Sequence, residues 1–148
     1  MIDDLHRNDL DAALQILLLA GSSPLQWQKT GATRDEADHW IAEQMKSRAA
    51  TTDADDLLYA IESSRDYDPS SQLERITAPL LAINSADDFI NPPELGIMED
   101  AIKRVREGRY LLLPVSDATH GHSTHTWAAV WEKPMRAFLE GNAFRAWR

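Results

Sequence analysis

Two short stretches hold the residues able to do acid–base chemistry. The first is "INSADDFINPP", residues 83–93, where Asp87 and Asp88 follow an apolar run and precede two prolines. The second is "SDATHGHSTH", residues 116–125, where His120, His122 and His125 follow another apolar run. A carboxylate bonded to one imidazole nitrogen fixes the tautomer and stabilises the imidazolium, so the other nitrogen can take a proton from a nucleophile. An aspartate of the first stretch and a histidine of the second would supply that pair, an orienting acid and a general base. The plainer reading of the acids is a solvated loop and helix cap, because each carboxylate needs water or donors around it. Asp87 in particular is expected to face water. A helix beginning near Thr124 would oppose protonation of a histidine at its amino end, an effect the aspartate would counter.

The elements that must position these residues follow from the apolar pattern. "PLLAI", Pro79 to Ile83, is nearly continuous in large apolar residues, as when both faces of a parallel sheet are covered. "RYLLLPV", Arg109 to Val115, is a second strand. Between them Pro92 and Pro93 suit the entry to a helix running to about Arg106, with Gly108 ending it. A strand, crossover helix and strand of this length imply two parallel strands with a right-handed connection. In such a sheet the reactive groups sit beyond the carboxyl ends of the strands, where both stretches fall. A last helix, around Thr124 to Glu140, carries Trp127, Val130, Trp131, Phe138 and Leu139, and Pro134 should kink or interrupt it.

The first half has no strand pattern. Leu10, Leu14, Leu17 and Leu18 lie at helical spacing between Asp3 and Ala20, with Gly21 as a stop. Thr33 and Glu36 form a capping-box pair ahead of Trp40, Ile41 and Met45. The acids of "TTDADDLLYAIESS" favour the positive end of a third helix carrying Leu57, Leu58 and Ile61. The chain therefore divides near Thr77 into a helical region, residues 1–77, and a strand–helix–strand–helix region, residues 78–148. The fold class is α/β. Two parallel strands cannot hide both faces and both edges of a sheet. The second region thus reads as the end of a larger doubly wound sheet, and the first as a helical lid inserted before its final strands.

Composition narrows the partners. A net charge of -9 with no clustered basic face argues against nucleic acid, whose phosphates supply most of such affinity. The longest apolar run, Ile16 to Ala20, is far below the roughly 18–20 residues of a membrane span. The acidic opening "MIDDLHRNDLD" has the wrong sign for a secretion signal, and the lack of cysteine fits a cytoplasmic protein. His6 and His39 read as surface residues, and Trp27, Trp40, Trp127, Trp131 and Trp147 as packing groups. Ser123 and Thr124 read as helix-capping residues.

"LERITAPLLAINSADDFINPPE" followed by "GRYLLLPVSDATHGHSTHTWAAVW" resembles the carboxyl-terminal part of α/β-hydrolase-fold enzymes, most closely the homoserine O-acetyltransferase-like branch. "YAIESSRDYDPSSQ", with the helices before it, is more loosely similar to that branch's lid. The resemblance implies a partial α/β-hydrolase fold. It selects Asp88, four residues before Pro92 in a D-x-x-x-P pattern, as triad acid, and His122, after Gly121, as base. It implies no cofactor or metal, and a small acyl ester or thioester as substrate of a transferase or hydrolase. The family's serine lies in a G-x-S-x-G-like elbow. No such motif occurs in these 148 residues, and "AGSSP" at Ala20 to Pro24 lies between helices. The oxyanion donors of the family's first half are missing as well. Ser123 stands where homoserine enzymes generally carry an aspartate that holds the substrate amine.

The expectation is then a lid and last quarter separated from its nucleophile, inactive alone and completed by a protein partner, either a nucleophile-bearing half or another copy. A second expectation is a non-catalytic remnant that docks its strand edge and apolar lid onto another chain. A third is zinc held by His120, His122 and His125 near Asp117. Against it, residues 120 and 122 converge only on an extended backbone, and 122 and 125 only on a helical one.

Overall fold

The computed structural model describes residues 2–141, with side chains from Asp9 onward. The expectations for Trp147 and for the His6 side chain lie outside them. The fold is mixed α/β. Helix α1 (Ile2–Ala20) is followed by α2 (Pro24–Thr30), α3 (Arg34–Thr51) and α4 (Ala54–Glu62). A 3-10 turn, Ser70–Arg75, leads to strand β1 (Leu80–Ser85), then come helix α5 (Ile97–Ile102), strand β2 (Gly108–Leu113) and helix α6 (Ala128–Leu139). No helix of the described residues is long and apolar enough to cross a membrane.

In the helical part the side-chain spacing translates directly into packing. Leu14 and Leu18, one turn apart, are the buried residues of α1 among the described side chains, and the helix lies against α3. The capping box of α3 forms on both sides, with the Thr33 hydroxyl accepting from the Glu36 amide and Glu36 accepting from the Thr33 amide. Asp53 caps α4 by accepting from the amides of Asp55 and Asp56. Short α2 has no counterpart in the sequence-based reading. It starts with Pro24 and is fastened to α3 by Trp27 and Trp40, whose rings meet edge-to-face with centroids 5.6 Å apart. The apolar residues of α4 find no such cover: Leu58 and Ile61 are more than half exposed.

The two strands pair in parallel, with Leu80 opposite Gly108 and Ser85 opposite Leu113. Gly108 therefore opens β2 rather than closing a helix. The expected helix from Pro92 to Arg106 is also shorter and broken. Pro93–Leu95 forms one 3-10 turn, Gly96 takes the left-handed conformation (φ 66°), and α5 begins only after it. α5 packs against β2, with Ile102 and Val105 buried, while α6 lies against β1. α6 is preceded by a 3-10 turn, Ser123–Thr126, and continues through Pro134 without interruption. One missing N–H removes a single rung, which the flanking turns evidently tolerate.

Among the described residues the buried apolar side chains are Leu14, Leu18, Ile102 and Val105. Leu14→Ala should accordingly cost about 2–5 kcal/mol, whereas Ile16→Ala on the same helix, at a side chain 67% exposed, should stay within about 0.5 kcal/mol. Urea unfolding of the two variants checks the difference.

Candidate active site

Both strands end at the same edge, and the chain turns sharply after each. The amide of Ala86 donates to the carbonyl of Leu113 in the last rung, 2.8 Å long. The Asp88 amide then turns back onto the Ser85 carbonyl. The Asp88 carboxylate closes the next turn: Oδ1 accepts from the amides of Ile90 (2.8 Å) and Asn91 (2.9 Å). Asn84 secures the far side by donating to the Asn91 carbonyl at 2.8 Å. Oδ2 of Asp88 lies 3.1 Å from Nδ1 of His122. The Asn91 side-chain amide sits beside this contact, 3.4 Å from Nδ1.

Asp88 is 5% exposed. Burial pushes its carboxyl up, but the Asn91 amide, the His122 hydrogen bond and charge, and the Ile90 amide together hold it below its ordinary value. An ionised carboxylate can only accept, so Nδ1 of His122 donates in this contact. Whenever the ring is neutral Nε2 therefore carries the lone pair, and it has no protein partner among the described residues. His122 lines a cavity of about 500 Å³, together with Leu81, Ile83, Ser85, Leu113 and Trp131. The geometry is that of a base oriented by an acid, with its free nitrogen available to a proton donor.

The loop bearing His122 is fixed from several sides. Gly121 has φ 59°, and a Cβ there would stand 2.2 Å from the Ser22 carbonyl oxygen, so only glycine allows this approach. Ser123 donates its hydroxyl to the Gly21 carbonyl at 2.6 Å. Gln26 of α2 donates to the carbonyls of Thr119 and Asp117, and Lys29 pairs with the Asp117 carboxylate. Thr124 accepts from the His120 amide at 2.8 Å. Ser123 and Thr124 are thus loop ties rather than helix caps, because the turn they begin is a tight 3-10 turn with His122 at its start.

Asp87 differs most from expectation. It is half-buried, not open to water, and accepts from three donors: the Ser85 hydroxyl, the Thr119 hydroxyl at 2.9 Å and the Gly121 amide at 3.2 Å. Burial raises its carboxyl, and these three bonds outweigh that and lower it. The signal was present in the sequence as hydroxyl residues near each strand end, Ser85 and Thr119, but pairing them needs the register. Asn91 and Gln26, equally part of the arrangement, carry no sequence signal beyond polarity.

Of the three histidines of the zinc reading, His122 and His125 meet edge-to-face with centroids 5.2 Å apart, while His120 is engaged elsewhere. His120 stacks on Trp127 with centroids 3.9 Å apart, His122 faces Asp88, and His125 Nδ1 lies 2.7 Å from the His122 carbonyl. Among the described residues no group of three or more His, Cys, Asp or Glu side chains is placed to hold a metal ion. Trp127 is half exposed, so its packing role is against His120 and not in a core. His39 is exposed, as expected.

With that geometry in view, comparison against family models, curated proteins and solved structures finds no match to this chain.

Two outcomes follow from the site. Gly121→Ala should destabilise by more than about 1 kcal/mol in urea unfolding, since both the φ value and the Ser22 contact oppose a Cβ. The carboxyl of Asp88 is lowered on folding, so its contribution to stability is complete above its ordinary 3.8 and is lost as pH falls through the folded value. The gap in unfolding free energy between the native chain and Asp88→Asn should shrink as pH falls from about 5 through the folded value of the Asp88 carboxyl.

Proposed function

We propose that this chain supplies the acid and base of a Ser-His-Asp triad in an α/β-hydrolase-fold acyltransferase or ester hydrolase, with Asp88 orienting His122. The observation that carries the reading is the 3.1 Å contact between Asp88 and His122 at the shared end of two parallel strands. It is supported by the D-x-x-x-P and Gly-His patterns at those residues, which resemble the homoserine O-acetyltransferase-like branch. The helical part, residues 1–77, acts as the lid and residues 78–148 as the end of the sheet. The nucleophile and the oxyanion donors come from polypeptide outside these 148 residues. In the cycle, Nε2 of His122 takes the serine proton as the hydroxyl attacks an acyl ester or thioester, and returns it to the leaving group. Asp88 keeps Nδ1 protonated throughout. The Ser123 hydroxyl is engaged by the Gly21 carbonyl, which leaves no carboxylate there for a homoserine amine.

The test is complementation. Alone, the chain should give no labelling by a fluorophosphonate probe. Mixed with a polypeptide carrying a strand, a G-x-S-x-G turn and a helix, it should restore labelling of that serine, and His122→Gln or Asp88→Asn should slow it on the order of 10⁴-fold or more. Failure to label in a mixture whose two parts demonstrably bind would remove the reading.

A second reading, a docking subunit without chemistry of its own, is favoured by exposed surface. Among the described residues Leu58, Ile61, Leu95 and Ile97 are each more than half exposed, apolar surface of the kind an obligate interface buries. Light scattering should therefore find an oligomer or a complex, and a compact monomer that persists on dilution would contradict the need for a partner.

A further inference from the structure

Adjacent carboxylates at a strand end repel each other, yet here both are retained with separate sets of donors. Asp88 spends its oxygens on its own loop and on the His122 ring. Asp87 spends its oxygens on the other loop. Its Oδ2 accepts from Thr119 and Gly121, the residues on either side of His120, and its Oδ1 accepts from Ser85 at the end of β1. Ser85 and Thr119 are 2% and 1% exposed; the Ser85 hydroxyl has no water to turn to, so its bond to Asp87 is costly to lose, whereas the Thr119 hydroxyl also has the Ser116 carbonyl within 3.0 Å. Gly121 is the residue before His122, and its amide is one of the bonded groups.

We infer that Asp87 is a positioning residue that fastens the backbone carrying His122 to the end of β1, so that the His122 ring meets Asp88. The inference rests on the acid–base reading above and extends it. One carboxylate holds the ring; its neighbour holds the main chain beneath the ring. Asp87 touches neither the reacting nitrogen nor the cavity around it, and acts only through Thr119 and Gly121. On the opposite side the Ser123 hydroxyl, Gln26 and Lys29 tie the same segment to the helical part, and Asp87 ties it to the end of β1. Removing Asp87 releases the tie to β1 and takes the acceptor from the buried Ser85 hydroxyl and the buried Gly121 amide, while the Thr119 hydroxyl keeps the Ser116 carbonyl at 3.0 Å.

The test reads the His122 tautomer in the full chain by ¹⁵N imidazole NMR, with His122→Gln to assign the signal. The native chain should show a protonated Nδ1 and an unprotonated Nε2. Asp87→Ala should lose that pattern while the amide signals of β1 and β2 stay dispersed. Asp87→Asn keeps a carbonyl oxygen for Thr119 and Gly121 and should restore it. If Asp87→Ala unfolds the chain, Thr119→Val, which removes one of the two donors on Oδ2, should weaken the same pattern. Retention of the native tautomer in Asp87→Ala, or in Thr119→Val where the alanine variant is unfolded, would overturn the positioning role and leave the acid–base reading intact. A native chain without a protonated Nδ1 would overturn both.

Discussion

The parallel, in-register pairing of β1 with β2 is the constraint on which the site depends. A six-residue strand spans about 20 Å. Had the two strands run antiparallel, the loops after them would lie that far apart, and the 3.1 Å contact between Asp88 and His122 would be impossible. Pairing of Ser85 with Leu113 ends both strands at one level, so the chain leaves the sheet twice at the same edge. A slip of one residue would reverse the facing of every strand side chain and move Ser85, on which Asp87 depends, to the other face. Register is thus a condition of the Asp88–His122 contact as well as of the packing.

Placing an ionised carboxylate at 5% exposure is expensive, by several kcal/mol before compensation. Asp88 recovers this through two backbone amides and an imidazole N–H, all of them local to the turn or to the facing loop. The bonds that keep it charged also fix its orientation, since Oδ1 is committed to Ile90 and Asn91 and only Oδ2 is left for the ring. Electrostatic satisfaction and geometric selection are therefore one arrangement. The proline that follows reinforces it: Asn91 precedes Pro92 and is biased to an extended backbone, which ends the turn at the residue whose amide Asp88 needs.

Much of this was legible in the sequence where local rules decide. The capping residues Thr33, Glu36 and Asp53, the leucine stripe of α1 and the two apolar strands all announce themselves within a few positions. That an aspartate and a histidine would meet was legible too, since strand ends in a parallel sheet converge whatever the intervening chain does, while the choice of Asp88 and His122 came from the family resemblance. Hidden from it were features set by long-range contact. Helix α2 has few apolar residues and is held by Trp27 on Trp40 and by Gln26 on the Thr119 carbonyl. Asp87 looked like a solvent-facing neighbour because its donors, Thr119 and Gly121, come from the other strand's loop. The break at Gly96 illustrates the remaining kind of miss: two prolines suited a helix start, but a left-handed glycine after them delays it.

The incomplete core and the open cavity have a common cause. Leu80 and Leu112 in the strands, and Ile97 and Met98 in α5, keep more than a third of their surface in water although their sequence suits burial on both faces of a sheet. Among the described residues each sheet face bears a single helix, and the outer edge of β1 is shared by a cavity on either face, both of them lined by Ile83, Asn84 and Asn91. The cavity on the α6 side is the one that contains His122. A third strand laid along β1 would pair the outward-facing backbone groups of Leu81 and Ile83, cover the apolar faces, and wall in the ring nitrogen that now has no partner. Covering the sheet and enclosing His122 would then be a single event, because the edge of β1 that has no neighbouring strand among the described residues is the edge onto which the His122 cavity opens.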